Sequence, residues 1–389
     1  MAINPYKTLV SHGSVKKTAI YLASEDLRDK LSGGHIEAIT DIVLLSEIYK
    51  KIIVLFPDEK IEEPNELFIK SIENSKKIRF NPIKKNDTLV SKFLLSEKRA
   101  SHKEIIKLIK NESNFHIFIC CHRNLLAQLM IFKEYGSKYI FFKSQGSIFL
   151  HNFGNIYAIF RTKFEDPYFL KRLFSAFFYL FFEHLSYVLS QRIFMMRHQM
   201  NIRMNISGKI FHKIYGKKII YSACGSYWFY YSKRKLNTNT NLIKDNQILI
   251  GSLGDNTYPT AIQGLKNLLG KIDDANKKIN LKLTIKIAGK YNKQSMKFLN
   301  NQFSISKINL EFLGYIDNKD EFINNLNAMI LPVSGGSGMP IKAIESLIEY
   351  RGPIFVTKYI RDSCSGFFQR NKNIYYDAEK FLLNLRNSL

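Results

Sequence analysis

Gly335-Gly336-Ser337-Gly338-Met339-Pro340-Ile341-Lys342-Ala343-Ile344-Glu345 is the stretch on which the fold turns. An apolar run, Ala328 to Val333, precedes it and reads as a buried strand. Behind it Ile341, Ile344, Leu347 and Ile348 recur at helical spacing. A strand, a glycine-rich turn and a helix start make an anion site, because unpaired backbone N–H groups at the helix start point at the ligand. Lys342 and Glu345 are three residues apart, so both belong to one helix face near its first turn. A cation and a carboxylate beside such a turn suit a ligand that carries both phosphate and sugar hydroxyls, as a nucleotide-sugar does.

Similar units extend in both directions. Before the turn, Gln247–Ile250 reads as a strand, Tyr258–Leu269 as a helix, and Leu281–Ala288 as a strand closed by Gly289. Asn309–Leu313 is a strand closed by Gly314, Glu321–Asn325 a short helix, and Pro353–Val356 a last strand. The first half opens with a strand at Thr18–Ala23, a loop with Gly33-Gly34-His35, and an amphipathic helix carrying Ile36, Ile39, Ile42, Val43 and Leu45. Ile52–Phe56, His116–Cys120 and Tyr139–Phe142 read as strands. Leu67–Asn74, Glu97–Lys110 and Leu125–Tyr135 read as helices. This alternation predicts an α/β protein with two Rossmann-like, doubly wound domains facing across a cleft, divided as residues 1–220 and 221–389.

Length and composition agree. A chain of 389 residues with 46% hydrophobic residues is long enough for two cores. The longest apolar run, Leu173 to Phe182, is about half the length of a membrane-spanning helix, and no secretory signal is read at the start. Cys120, Cys121, Cys224 and Cys364 form no CxxC pair and no metal-like spacing, which fits a reducing cytoplasm. Charge is uneven: residues 1–240 carry 38 Lys and Arg against 20 Asp and Glu, and residues 241–389 carry 20 against 13. Between His184 and Lys244 there are 11 basic residues and no acidic one. Such a field suits an anionic surface, a membrane leaflet or a nucleic acid. No nucleic-acid motif is present, so nucleic acid is not expected as a partner.

The second half resembles the nucleotide-sugar glycosyltransferases of GT-B fold, in particular the retaining group called glycosyltransferase family 4 or group 1. The resemblance runs from Gln247 to Thr357. It rests on a strand ending in Gly251, one ending in Ile287-Ala288-Gly289, one ending in Leu313-Gly314-Tyr315-Ile316, and one leading through Leu331-Pro332 into GSGxxxKxxE. In the first half only Gly33-Gly34-His35 is similar. The resemblance implies that Glu345 holds the ribose hydroxyls, a task for a group that accepts two hydrogen bonds from a diol. It implies that Tyr315 and Ile316 meet the base, and that Gly336, Ser337, Gly338 and Met339 approach the diphosphate and donor sugar. Gly33 and Gly34 would close on the phosphates from the other domain, with Gly251 at the end of the first strand of the donor domain.

Two departures bear on the chemistry. Ser337 stands where many members of the family carry a glutamate. Gly251 is followed by Ser252, Leu253, Gly254, Asp255 and Asn256, where relatives place cations for the diphosphate. A leaving diphosphate gains charge in the transition state, so Lys290 and Lys342 are the candidate replacements. His122, Gln145 and Lys342 are the catalytic candidates, because His122 and Gln145 lie just past strand ends of the first half. His35 and Lys143 lie in similar positions. No protein nucleophile is assigned. The chain has no DxD motif, so a metal-free site is expected, with no cofactor beyond the nucleotide-sugar substrate.

Pro167–Met196 is dense in Phe, Tyr and Leu, apolar around nearly its whole circumference if helical. It reads first as a buried helix of the first domain. The other reading lays one face in a membrane interface. The whole predicts a hexosyltransferase-like retaining enzyme moving a sugar from a nucleoside diphosphate donor to a saccharide acceptor. A lipid-linked acceptor is expected, on the inner face of the cytoplasmic membrane, in surface polysaccharide or lipopolysaccharide synthesis. The rivals are a GT-B-type sugar-nucleotide epimerase and a non-catalytic GT-B-like partner subunit.

Overall fold

The structure is a computed structural model. It describes residues 4, 6–7, 17–28, 33–60, 76–93, 99–144, 169–196, 213–222, 247–254, 256–257, 259–291, 293–303, 306–316, 318–334, 343, 346–347, 350–363 and 373–387. Packing divides the chain into one unit of residues 1–149 and 177–233 and another of 150–176 and 234–389.

Among the described residues the first unit is built on seven parallel strands: β1 (Thr18–Leu22), β2 (Lys51–Pro57), β3 (Ile78–Ile83), β4 (Phe115–Cys120), β5 (Ile140–Lys143), β6 (Arg192–Met196) and β7 (Ile219–Ser222). Their order is β3-β2-β1-β4-β5-β6-β7, so the direction of winding reverses between β1 and β4. Its described helices are α1 (Gly33–Ser46), α2 (Leu89–Phe93), α3 (His102–Lys110), α4 (Leu125–Tyr135) and, from Phe177 onward, α5 (Phe169–Val188), whose earlier residues group with the second unit. Alternation along β1 explains its unbroken apolar sequence. Ala19 and Tyr21 pack with Ile39, Ile42 and Leu45 of α1 on one face of the sheet. Ile20 and Leu22 pack with Ile105, Ile109 and Ile131 of α3 and α4 on the other.

Among the described residues the second unit has six parallel strands: β8 (Ile248–Leu253), β9 (Leu283–Ala288), β10 (Ile308–Gly314), β11 (Ala328–Leu331), β12 (Ile354–Val356) and β13 (Ile374–Tyr375). The order β10-β9-β8-β11-β12-β13 reverses between β8 and β11. The helices are α6 (Pro259–Ile279), α7 (Lys293–Gln302), α8 (Lys319–Asn324), α9 (Lys358–Ser363) and α10 (Ala378–Arg386). One core joins Leu265, Leu268 and Ile272 of α6 to Ile250, Ile285 and Ile330 of the sheet and Phe381 of α10. Asn318 caps α8 by accepting from Glu321 N–H at 3.0 Å, and Asp377 caps α10 by accepting from Lys380 N–H at 2.9 Å.

Three readings of the sequence change. The helix expected over Glu97–Lys110 begins only at His102. Ala100 forms an antiparallel bridge with Lys85, and Asn86 N–H donates to Arg99 O at 2.9 Å, so this end of the segment belongs to the sheet edge. The aromatic segment Pro167–Met196 is a helix followed by a strand, β6, after Ser190 and Gln191. The reading of that helix as buried on all sides is also corrected. Phe182, Glu183, Ser186 and Tyr187 are buried, and Gln128 Nε2 of α4 donates to Ser186 O at 2.8 Å. Leu170, Phe174, Phe177, Phe178 and Phe181 are exposed by 64, 64, 57, 48 and 57%. Steps of four, three, one and three residues put these five on one helical stripe. No described helix is long and apolar enough to cross a membrane. The expected helix Leu67–Asn74 lies outside the described residues.

Candidate functional site

The carboxyl edge of the second sheet is a row of loops bonded to one another. Gly254 N–H, past the end of β8, donates to Ala288 O at 3.1 Å, and Asn256 N–H donates to Lys290 O at 2.7 Å. Gly289 N–H donates to Gly314 O at 2.7 Å, which ties the β9 loop to the end of β10. Gly289 has φ +108°, and a Cβ there would fall 1.9 Å from Gly254 O. Both the backbone angle and the close approach therefore require glycine. On this fixed rim Lys290 is exposed, Tyr315 is 80% exposed and Ile316 is half-buried. The Gly289–Gly314 bond puts the lysine and the aromatic ring on neighbouring loops.

Gly251 does a different local task. A Cβ on it would lie 2.1 Å from Leu326 Cδ1, so its missing side chain makes room for a core leucine. Ser252 beside it is fully buried. The chain leaving β11 is equally constrained. A Cβ on Gly264 of α6 would meet Pro332 O at 1.3 Å. Thr357, just past β12, donates its hydroxyl to Val333 O and accepts from Ile360 N–H at 3.2 Å. The glycine-rich turn thus departs from a base held on both sides. Gly336, Ser337, Gly338, Met339, Lys342 and Glu345 themselves lie outside the described residues. Beyond them Ala343, Ser346 and Leu347 are helical and buried, in line with the helix expected there.

In the first unit, the loops after β1 and β4 meet where the strand order reverses. Asn124 is buried, and its Nδ2 donates to Ala23 O at 3.3 Å and to Cys120 O at 2.8 Å. The reversal point of such a sheet is where ligands bind. Cys121, with φ +77°, makes the bend out of β4. His122 is the first residue of the short turn His122–Asn124 that follows. Gly33 and Gly34 open α1. His35 behind them is buried, its Nε2 3.6 Å from a Glu25 carboxylate oxygen. Gln145 lies outside the described residues.

Lys143, at the end of β5, is an internal tie. Its Nζ lies 2.9 Å from Asp41 Oδ1 and 3.5 Å from Glu37 Oε1, all three side chains being almost wholly buried. Tyr21 Oη donates to Asp41 Oδ2 at 3.3 Å. Burial alone would lower the Lys143 pKa, but Asp41 and Glu37 outweigh it and hold it above the ordinary lysine value. The sequence signal was present but faint. Glu37 and Asp41 are spaced one turn apart among the apolar residues of α1, where solvated acids are out of place.

No protein-family model matches the chain, and no curated protein matches it in sequence. Solved structures do resemble it. TarM is similar with TM-score 0.52 at 11% identity, over 99% of this chain and 93% of that one. WaaG, a glycosyltransferase involved in lipopolysaccharide biosynthesis, is similar with TM-score 0.50 at 10% identity, over 95% and 92%. The α,α-trehalose 6-phosphate synthase of Burkholderia multivorans is similar with TM-score 0.51 at 10% identity, over 96% and 89%. These likenesses together with the two parallel sheets show that the chain has the GT-B fold.

Proposed function

We propose that the chain is a glycosyltransferase that moves a hexosyl group from a nucleoside diphosphate sugar to a saccharide acceptor, with retention and without a metal. The observation that carries this reading is the second sheet's carboxyl edge. Three interlocked loops there hold a cation, Lys290, and an exposed ring, Tyr315, on the same sheet edge from which β11 leads toward the glycine-rich turn. A ring and a cation on one rigid rim suit a base and a diphosphate. In this reading Tyr315 and Ile316 meet the base, and Glu345 takes the ribose. Lys290 and Lys342 balance the diphosphate, Gly336 to Met339 approach the donor sugar, and Gly33 and Gly34 meet the phosphates. His122, Gln145 and Lys342 act on the reacting groups. WaaG, of similar fold, is a glycosyltransferase involved in lipopolysaccharide biosynthesis.

The test is a thermal-shift screen with UDP-, GDP-, CMP- and ADP-linked sugars, followed by transfer assays with the donor that stabilises. A ligand at about 100 times its Kd raises stability by about 2.7 kcal/mol. Sugar transfer by the purified chain supports the reading. Conversion of the donor to an epimeric nucleotide-sugar without acceptor would replace it with the epimerase. Absence of any donor binding would leave a GT-B-like partner subunit.

The same proposal places the enzyme on the inner face of the cytoplasmic membrane, acting on a lipid-linked acceptor in surface polysaccharide or lipopolysaccharide synthesis. Two features support an anionic bilayer as the surface it meets. One is the exposed apolar stripe of α5. The other is the basic, acid-free sequence from His184 to Lys244 that begins within the same helix. Apolar insertion and charge attraction together give reversible docking.

A further inference from the structure

Arg99 is a buried guanidinium at the reversal point of the first sheet. It is only 6% exposed. Its Nη1 donates to Ser24 O, in the loop after β1, while its own backbone O accepts from Asn86 beyond β3. The side chain therefore reaches from the β3 side of the sheet to the end of β1. Among the described residues its Nε has no hydrogen-bond partner. A buried donor left unmade costs free energy, so it marks a place where a group is missing.

A second guanidinium belongs to the same place. Arg123 lies in the turn after β4, next to Asn124, which binds the β1 loop through Ala23 O. Its guanidinium carbon stands 5.4 Å from the centre of the Tyr179 ring of α5. Burial lowers the Arg99 pKa; Cys121, at the bend out of β4, opposes this and Arg123 adds to it. Burial would also lower the Arg123 pKa, but Cys121, Tyr179 and Glu25 outweigh it and hold it raised. A buried guanidinium with a spare donor, beside a loop tie that carries a second guanidinium on the next residue, is satisfied by an anion. The carboxylates felt there are already engaged elsewhere or lie at the rim. Glu59 pairs with Lys85 at 3.4 Å, and Glu25 is exposed and 3.6 Å from His35.

We propose that Arg99 and Arg123 form a subsite for an oxyanion, a phosphoryl or carboxylate group carried by the saccharide acceptor. The acceptor role rests on the glycosyltransferase reading; the anion site does not. Guanidinium groups suit both oxyanions because their planar N–H forks match two oxygens at once. The subsite belongs to the first unit, whereas Lys290, Tyr315 and Ile316 belong to the second. An acceptor bearing such a group would be oriented by it, and a neutral analogue would not.

The experiment uses the full chain at constant ionic strength. Inorganic phosphate, glucose 6-phosphate, glucuronate and neutral glucose are titrated by calorimetry, with sodium chloride as the salt control. The expected result is binding of inorganic phosphate and at least one anionic sugar, with glucose weaker by at least about tenfold. Glucose 6-phosphate against glucuronate separates the phosphoryl from the carboxylate source. Arg123→Gln, chosen because Arg99 also holds the Ser24 loop, should weaken the anions by about tenfold or more. Lys277→Ala, at an exposed lysine of α6 paired with Asp273 and Asp274, should leave phosphate binding unchanged, which controls for general surface charge. Equal binding of glucose and the anions, undiminished binding in Arg123→Gln, or loss of phosphate binding in Lys277→Ala overturns the proposal. Donor stabilisation is measured in parallel. If it is absent while phosphate still depends on Arg123, the glycosyltransferase reading fails and the anion site stands.

Discussion

Lys143 Nζ lies 2.9 Å from Asp41 Oδ1, with both side chains buried, and this ion pair fastens α1 to the end of β5. Glu37, one turn earlier, approaches the same ammonium at 3.5 Å. Lys143→Met would leave two buried carboxylates without their cation, so it should destabilise the protein by about 3–5 kcal/mol. A urea midpoint within error of wild type would refute the structural role. The folded-state pKa is raised, so the lysine's contribution is complete below its ordinary value of 10.5 and is lost only as pH rises through the higher folded value. The stability difference between wild type and the Met variant should therefore stay constant from about pH 7 to pH 9.

Gly289 and Gly270 make a matched pair. Gly289→Ala puts a Cβ 1.9 Å from Gly254 O at φ +108°, and should cost at least about 1–3 kcal/mol while loosening the donor rim. Gly270 lies inside α6 with open space around a would-be Cβ, so Gly270→Ala should gain about 0.5–1 kcal/mol. Thermal melts of the two variants check both signs, and a tolerated Gly289→Ala would show that the interlocked loops are not a constraint.

Glu345 and the two lysines test the donor site. Glu345→Gln should weaken donor binding by about 1.5–3 kcal/mol, with the fold intact, because it removes a charged acceptor of two hydrogen bonds. Substituting Lys290 and Lys342 together by Ala should slow turnover by several kcal/mol in barrier, on the order of a hundredfold or more. Calorimetry and steady-state rates read these separately. Near-normal turnover in the double variant would leave the diphosphate to helix termini.

The stripe on α5 tests the proposed membrane attachment. Wild type should co-sediment with vesicles containing anionic lipid, bind neutral vesicles little, and be released at high salt as surface charges are screened. Replacing Phe174, Phe177 and Phe181 by Ser should reduce binding by about tenfold or more, since interfacial binding scales with buried apolar area. Their exposure of 64, 57 and 57% means that stability should hardly change. Unaltered vesicle binding in this variant would remove α5 from the interface.

Chelation tests the metal-free site. Turnover should persist in EDTA, and loss restored by Mg²⁺ or Mn²⁺ would show that the diphosphate is held by a cation the sequence does not announce.

The sequence by itself determined the parallel α/β architecture and the position of most of its strands. Thr18–Ala23, Ile52–Phe56 and Leu281–Ala288 all lie within a residue or two of β1, β2 and β9. A strand buried on both faces must be apolar at every position, and that signal survives without any partner. Gly289 and Gly314 were legible for a related reason: a positive φ at a strand end selects glycine locally. Only the tertiary structure decided the rest. It gave Lys143 two buried carboxylates a hundred residues away. It split Pro167–Met196 into a half-exposed helix and a strand. It brought Arg99 across the sheet to Ser24. Apolar periodicity reports burial averaged over a face, whereas the protonation, pairing and exposure of a single side chain depend on which distant segment is packed against it.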